Sequence, residues 1–230
     1  MGIRFVLVLL ALGIVAAPVA AQEVTVTSKF RPIYMGAQGG EFHPDPVLQT
    51  DVFVALPRGF FVDIWSSTGF DTEKNFGKEL DLVVGRAGTF RKIAYSTDFE
   101  YFFVQGIDVV NVNGEISFQF LFVKLEAYSP TQKGGPGKGM ISSAGMRLLG
   151  KPLFERISRI KLDVGQWVKH DSGSFGFDRA WLYQGNLAGN VSINSHTNVS
   201  AGFRWSIPLN KPNDQREGKM VWEFGISQRF

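Results

Sequence analysis

The feature that most limits this chain is a period-two alternation of apolar and polar residues, running almost from end to end with almost no helical periodicity. Between Arg91 and Val104, the residues Ile93, Tyr95, Thr97, Phe99, Tyr101 and Phe103 fall on one side. Lys92, Ala94, Ser96, Asp98 and Glu100 fall on the other. The stretches 198–209 and 220–230 repeat the pattern. Successive side chains of a strand point to opposite faces, so each such segment is a strand with one apolar face. Each is about 10 residues, the length a tilted strand needs to cross a bilayer's hydrocarbon core.

The alternation predicts strands at 24–33, 46–56, 59–67, 78–87, 92–104, 109–120, 121–129, 139–149, 157–169, 179–193, 197–209 and 219–230. No turn residue marks the boundary at Phe120-Leu121, but the phase flips there. Ile116, Phe118 and Phe120 are the apolar set before it, and Leu121, Val123 and Leu125 the set after it. A chain that turns or bulges shifts phase in this way. The connections alternate as well. Long polar ones, such as MGAQGGEFHPD, SSTGFDTEKNFG, SPTQKGGPGKG and NKPNDQREGK, take turns with short ones at Pro57-Arg58, the Gly88 region, Phe120-Leu121, Gly150–Glu155 and Ser195-His196. Long loops at one end and tight turns at the other describe an all-β fold, a transmembrane antiparallel up-and-down β-barrel of about 12 strands, with both termini on the periplasmic side.

Composition narrows the alternatives. At 44% hydrophobic and 20% charged residues the chain is too apolar to be disordered. Its one long apolar run is N-terminal, which excludes a polytopic helical membrane protein. Cysteine is absent, so neither disulfides nor thiolates are available, and a net charge of +3 spread over both signs gives no sign of a nucleic-acid binder. In the N-terminal run, Arg4 precedes an apolar stretch from Phe5 to Ala17, then Pro18 and a small-residue exit at Val19-Ala20-Ala21. This is the pattern of a secretory signal peptide over 1–21, cleaved before Gln22, leaving 22–230 as the barrel.

The two faces differ sharply. Leu48, Val52, Leu80, Leu82, Tyr95, Phe99, Ile116, Phe118, Val123, Ile160, Leu162, Trp181, Tyr183 and Trp205 share the apolar one. The other carries nearly balanced charge, including Asp51, Asp81, Glu100, Glu115, Lys124, Arg147, Arg159 and Arg204. In a barrel the first face meets outer-membrane lipid and the second lines the lumen, so these eight are the candidate pore-lining residues. A soluble sandwich would solvate the charged face but would not need alternating loop lengths. The chain ends in an aromatic-rich alternating strand, with Trp222, Phe224, Ile226 and a terminal Phe230 on one side. This resembles the C-terminal signature by which outer-membrane barrels are recognised by the barrel assembly machinery.

Further stretches resemble a family of Gram-negative outer-membrane proteins of unassigned function, the Gcw or TorF-type porins. The likeness runs through Val26-Thr27-Ser28-Lys29-Phe30, Pro46-Val47-Leu48-Gln49, Gly59-Phe60-Phe61-Val62-Asp63-Ile64-Trp65-Ser66-Ser67 and Glu79-Leu80-Asp81-Leu82. It is tightest in the first third of the mature chain, where Arg31-Pro32 stands in place of the family's Arg-Gly. The resemblance implies an outer-membrane barrel and a pore, and supplies no catalytic residues.

An outer-membrane hydrolase would need a serine, a histidine base and an orienting group in reach of one another. The three histidines are His43, His170 and His196. His196 sits in a turn sequence, Asn194-Ser195-His196-Thr197, which turn chemistry explains. His43 and His170 lie in outer loops, and no metal-ligand spacing accompanies them. The Gly-rich SPTQKGGPGKG loop has no phosphate-binding frame and no helix after it. No catalytic residue, metal or cofactor is therefore expected. The sequence points to a narrow channel through which small hydrophilic solutes diffuse, with a non-conducting structural barrel as the alternative and an outer-membrane hydrolase third. The signal-peptide reading is checked by mass spectrometry of the protein isolated from membranes, which should find an N-terminal peptide beginning at Gln22.

Overall fold

The computed structural model describes residues 23–36, 39–70, 78–104, 107–131, 138–154, 157–210 and 216–230. The expected signal segment lies outside the described residues. The strands are β1 (Glu23–Arg31), β2 (Tyr34–Met35), β3 (Glu41–His43), β4 (Val47–Ala55), β5 (Phe60–Gly69), β6 (Lys78–Phe90) and β7 (Ile93–Val104). They continue as β8 (Ile107–Phe118), β9 (Leu121–Pro130), β10 (Gly139–Phe154), β11 (Ile157–Asp171), β12 (Ala180–Ser192), β13 (Thr197–Pro208) and β14 (Lys219–Arg229). Twelve of them, β1 and β4 to β14, close into one antiparallel barrel, and β2 and β3 form a separate hairpin inside the first long connection.

The ring closes where β1 pairs with β14, from Thr25 opposite Arg229 to Phe30 opposite Phe224. The Phe230 amide adds a bond to the Val24 carbonyl at 2.8 Å. Closure leaves no strand edge, which a sheet in lipid requires because hydrocarbon offers backbone groups no partner. No helix among the described residues is long and apolar enough to cross a membrane.

The turns show where local pairing prevails over turn propensity. Phe118 pairs directly with Leu121, so Gln119 and Phe120 form the turn, with Gln119 at φ 54°. Both flanking residues stay on the outer face, which accounts for the change of phase. The turn expected near Gly88 lies instead at Arg91-Lys92, between the paired Phe90 and Ile93. Gly88 remains inside β6, where the Tyr95 ring across the strand pair lies over it and fills the space a Cβ would take. The expected turn at Gly150–Glu155 is likewise strand up to Phe154. Register shifts between Leu148 and Lys151 and between Pro152 and Phe154 absorb the glycine and the proline. Gly150 has φ 62° and its amide donates to Asp163 Oδ1 at 2.6 Å.

Side chains alternate in exposure as the sequence demands. Outward positions such as Leu80, Val84, Phe99, Ile116, Val123, Leu125, Leu187, Phe203 and Phe224 are exposed and apolar. Their inward neighbours are buried or half-buried and mostly polar. Val84 sits near the middle of β6 on the outer face. The substitution Val84→Arg is therefore expected to destabilise the barrel by about 2–4 kcal/mol in phospholipid vesicles, the cost of a cation on the lipid face near the midplane. Guanidinium unfolding of the reconstituted variant measures this, and an unchanged midpoint would contradict the outward assignment.

Candidate functional site

The lumen is built from the inward set of every strand, and its charges are ordered around the ring. Strands β4 to β7, four consecutive neighbours, carry Asp51, Asp63, Glu79, Asp81, Asp98 and Glu100 on their inner faces, with no cation among their described inward residues. By strand order, β10 to β13 stand diametrically opposite. They carry Arg147, Lys161, Lys169 and Arg204, with Asp163 and Asp171. Both of those acids are held by local groups. Asp171 pairs with Arg216 at 2.9 Å, and Asp163 accepts from Gly150 and from the Asn190 side-chain amide at 2.8 Å. Lys29 and Arg31 on β1 and Lys124 on β9 flank the acidic arc.

Neutral amides hold Asp98 and Glu100 in place without cancelling their charge. Asn113 donates to Asp98 at 2.6 Å and Asn111 donates to Glu100 at 3.1 Å. The carboxyl groups of Asp51 and Asp63 lie within hydrogen-bonding reach of one another. One oxygen of Asp63 and one of Asp81 is buried without a hydrogen bond. The two strands that flank Asp98 and Glu100 supply no cation among their described inward residues. β6 brings carboxylates and β8 brings asparagines, since the cations belong to strands further round the ring.

The other half of the ring is cross-linked by ion pairs. Arg31 meets Glu223 at 2.7 Å, with Lys29 at 3.7 Å from the same carboxylate. Glu126 bridges Lys124 at 2.9 Å and Lys169 at 3.8 Å. Arg147 pairs with Glu115 and stacks over the Phe122 ring at 3.9 Å. Of the eight sequence candidates, Asp51, Glu100, Glu115, Lys124, Arg147 and Arg204 are half-buried inside the ring and Asp81 is buried. Arg159 stands exposed near the start of β11, at the turn end. In β14, Trp222, Phe224 and Ile226 are exposed on the outer face, and Phe230 follows the strand.

A second arrangement lies at the long-loop end. The β2–β3 hairpin folds inward and is buried at Tyr34, Met35 and His43. Tyr34 donates to Glu79 on β6 at 2.7 Å and packs on Trp65 of β5. Burial and the neighbouring Glu79 charge hold the Tyr34 phenol protonated, well above the ordinary tyrosine range. Across the lumen Gly39, at φ 78°, approaches β13 so closely that a Cβ would fall 2.5 Å from Ser206 Oγ. The loop between β11 and β12 completes the span. Phe42 packs edge-on against Phe175 at 6.0 Å, and Phe175 packs against Tyr128 of β9 at 4.7 Å and Phe102 of β7 at 6.1 Å. A run of rings, Trp65–Tyr34–Phe42–Phe175–Tyr128, bridges the mouth from β5 to β9.

Asp171 pins that loop. It accepts from the Gly173 and Ser174 amides, the Ser174 hydroxyl and the Arg216 guanidinium, and is fully buried. Sequence reasoning missed this bridge, although aromatic residues inside Gly-rich polar loops (Phe42, Phe175, Phe177) were a visible signal.

The histidines do not assemble. His43 is buried inside the mouth, while His170 stacks with Trp181 at 4.6 Å on the outward side of the wall. His196 sits in a turn whose amides, His196 and Thr197, both bond to Asn194 Oδ1 at 2.8 Å. Among the described residues no three His, Asp or Glu groups are placed to hold a metal ion.

Comparison with solved structures finds the same architecture in porin-like barrels. The NanC porin superposes with a TM-score of 0.58 at 8% identity, covering 89% of this chain and 98% of its own. An outer membrane channel from Pseudomonas putida F1 gives 0.57 at 10% identity, covering 94% and 97%. The KdgM porin gives 0.53 at 8% identity, covering 90% and 99%. No protein-family model and no curated protein matches the sequence. At such identities the likeness shows the fold alone, a closed antiparallel β-barrel of twelve strands.

Asp171 and Arg216 are both buried, so breaking the pair leaves an uncompensated charge. Asp171→Ala is expected to cost about 3–5 kcal/mol and to release the β11–β12 loop. Limited proteolysis should then cut within 172–179, where the wild-type protein resists.

Proposed function

We propose that the protein is a narrow channel of the outer membrane through which small hydrophilic solutes diffuse. The observation that supports this best is the inward acidic arc. Six carboxylates on four adjacent strands raise mutual repulsion and desolvation, and a barrel filled only for stability would gain from apolar or paired side chains there. A water-filled path solvates such groups, and charged linings of this kind set selectivity in pores. Twelve strands also fall between the eight-stranded barrels filled by side chains and the wide porins of 16 to 18 strands. A structure of KdgM, one of the barrels sharing this fold, is a complex with disordered oligogalacturonate. The kinship with TorF-type porins, export by a cleaved signal peptide, and assembly through the C-terminal strand belong to the same reading.

The eight lumen candidates divide within it. Asp51, Asp81 and Glu100 form part of the acidic arc, while Lys124, Arg147 and Arg204 lie on the cationic side with Glu115 as the partner of Arg147. Arg159 stands at the periplasmic entrance. The ring bridge favours a second reading, a barrel closed at its mouth and used for structure. A planar-bilayer recording of the refolded mature protein separates the two. The channel reading expects discrete conductance steps, with cation preference lowered by Asp98→Asn and raised by Arg204→Gln. A folded barrel, heat-modifiable on a gel, that never conducts would favour the closed one.

A further inference from the structure

The order of charge around the ring identifies a solute class, given the channel reading. Toward the turn end from the ring bridge, the half-buried inward groups are Asp51, Asp63, Asp98 and Glu100 on one side. On the other are Arg204, Arg147, Lys124 and Lys29, the last three with side chains 33%, 32% and 37% exposed. Strand order sets Arg147 and Arg204 diametrically across from the acidic arc, with Lys124 and Lys29 toward its margins. The field therefore has a component across the lumen, from the cationic wall to the acidic one.

We propose that this section of the lumen is a binding and passage site for small zwitterions, compounds that carry one ammonium and one carboxylate or sulfonate a few atoms apart. A monoanion is drawn to the cationic side and repelled by the acidic arc. A monocation meets the reverse, and each is held against one wall. A neutral solute gains nothing over the water it displaces. A zwitterion turned across the lumen meets an opposite charge at both ends, and its net charge of zero spares it the long-range repulsion of either wall. The two sides differ in how they can hold it. Arg147 lies beside Glu115 and Lys124 beside Glu126, so the anionic end is shared with protein carboxylates. The ammonium end meets Asp98 and Glu100, whose hydrogen-bond donors are neutral amides, with the close pair Asp51 and Asp63 beside them. The acidic arc is thus the stronger anchor, and it governs the preference.

The test is flux into proteoliposomes holding the refolded mature protein, with four probes of similar size: taurine (zwitterion), isethionate (its hydroxyl analogue, an anion), choline and glycerol. Taurine is expected to enter about fivefold faster than isethionate, the ratio of one additional water-screened charge contact. Asp98→Asn and Glu100→Gln, made separately so that one misfolding variant does not void the test, should each cut that ratio by half or more. Arg204→Gln should lower the taurine flux and raise that of choline. If glycerol and the ions pass but taurine is no faster than isethionate, or if neither amide variant changes the ratio, the zwitterion assignment is overturned while the channel stands. If a heat-modifiable barrel passes no probe, the channel reading itself fails and the assignment with it.

Discussion

Backbone hydrogen bonding between β1 and β14 is the interaction on which everything else depends. Those bonds turn a twelve-stranded sheet with two open edges into a ring that hydrocarbon can surround. Once the ring is closed, each residue of a strand has only two possible environments. Leu80 and Val84 must face outward because Glu79, Asp81 and Val83 face inward, and a slip of one residue would exchange the two sets. The charge pattern of the lumen is thus fixed by pairing register, and register is fixed by the short turns, such as Arg91-Lys92 and Gln119-Phe120, that join each pair.

The interior solves two different problems at its two levels. At the mouth, aromatic rings from the first and fifth long connections meet rings from the wall, and fully buried groups such as Asp171 are satisfied several times over. Further in, Asp51, Asp63, Asp98 and Glu100 are half-buried, and amides hold the last two. That arrangement suits groups facing water, since amides orient a carboxylate without removing its charge. Ion pairs such as Arg31 with Glu223 and Lys124 with Glu126 stiffen the cationic half, whereas Asp98 and Glu100 in the acidic arc are held by amides.

Most of the wall was legible in the sequence because alternation and loop length report directly on strand, face and topology. The change of phase at Phe120-Leu121 located a turn within one residue, without any glycine or proline to mark it. Gly88 misled because a glycine signals a turn only when nothing covers it, and the Tyr95 ring that does so comes from the next strand. Summing charge over the inner face gave a balanced total and hid its order. Reading Asp51, Asp63, Asp81 and Asp98 strand by strand, in the sequential order an up-and-down barrel imposes, would have exposed the acidic arc. The ring bridge was less accessible. Phe42, Phe175 and Tyr128 are far apart in sequence, and their meeting depends on how two long loops fold inward. No local periodicity encodes that.

The chain has no cysteine, so single cysteines can be introduced one at a time to ask which face meets water. The most direct measurement is thiol labelling of the membrane-embedded protein by a charged, membrane-impermeant reagent, at Asp63→Cys, Asp98→Cys and Arg204→Cys on one side and at Val84→Cys and Leu125→Cys on the other. The account predicts that the first three react, with conductance falling as each is modified, and that the last two stay unlabelled until the barrel is unfolded. Protection of all three inward positions in a folded barrel would contradict it, because a charged arc sealed from water could not line a path for solutes.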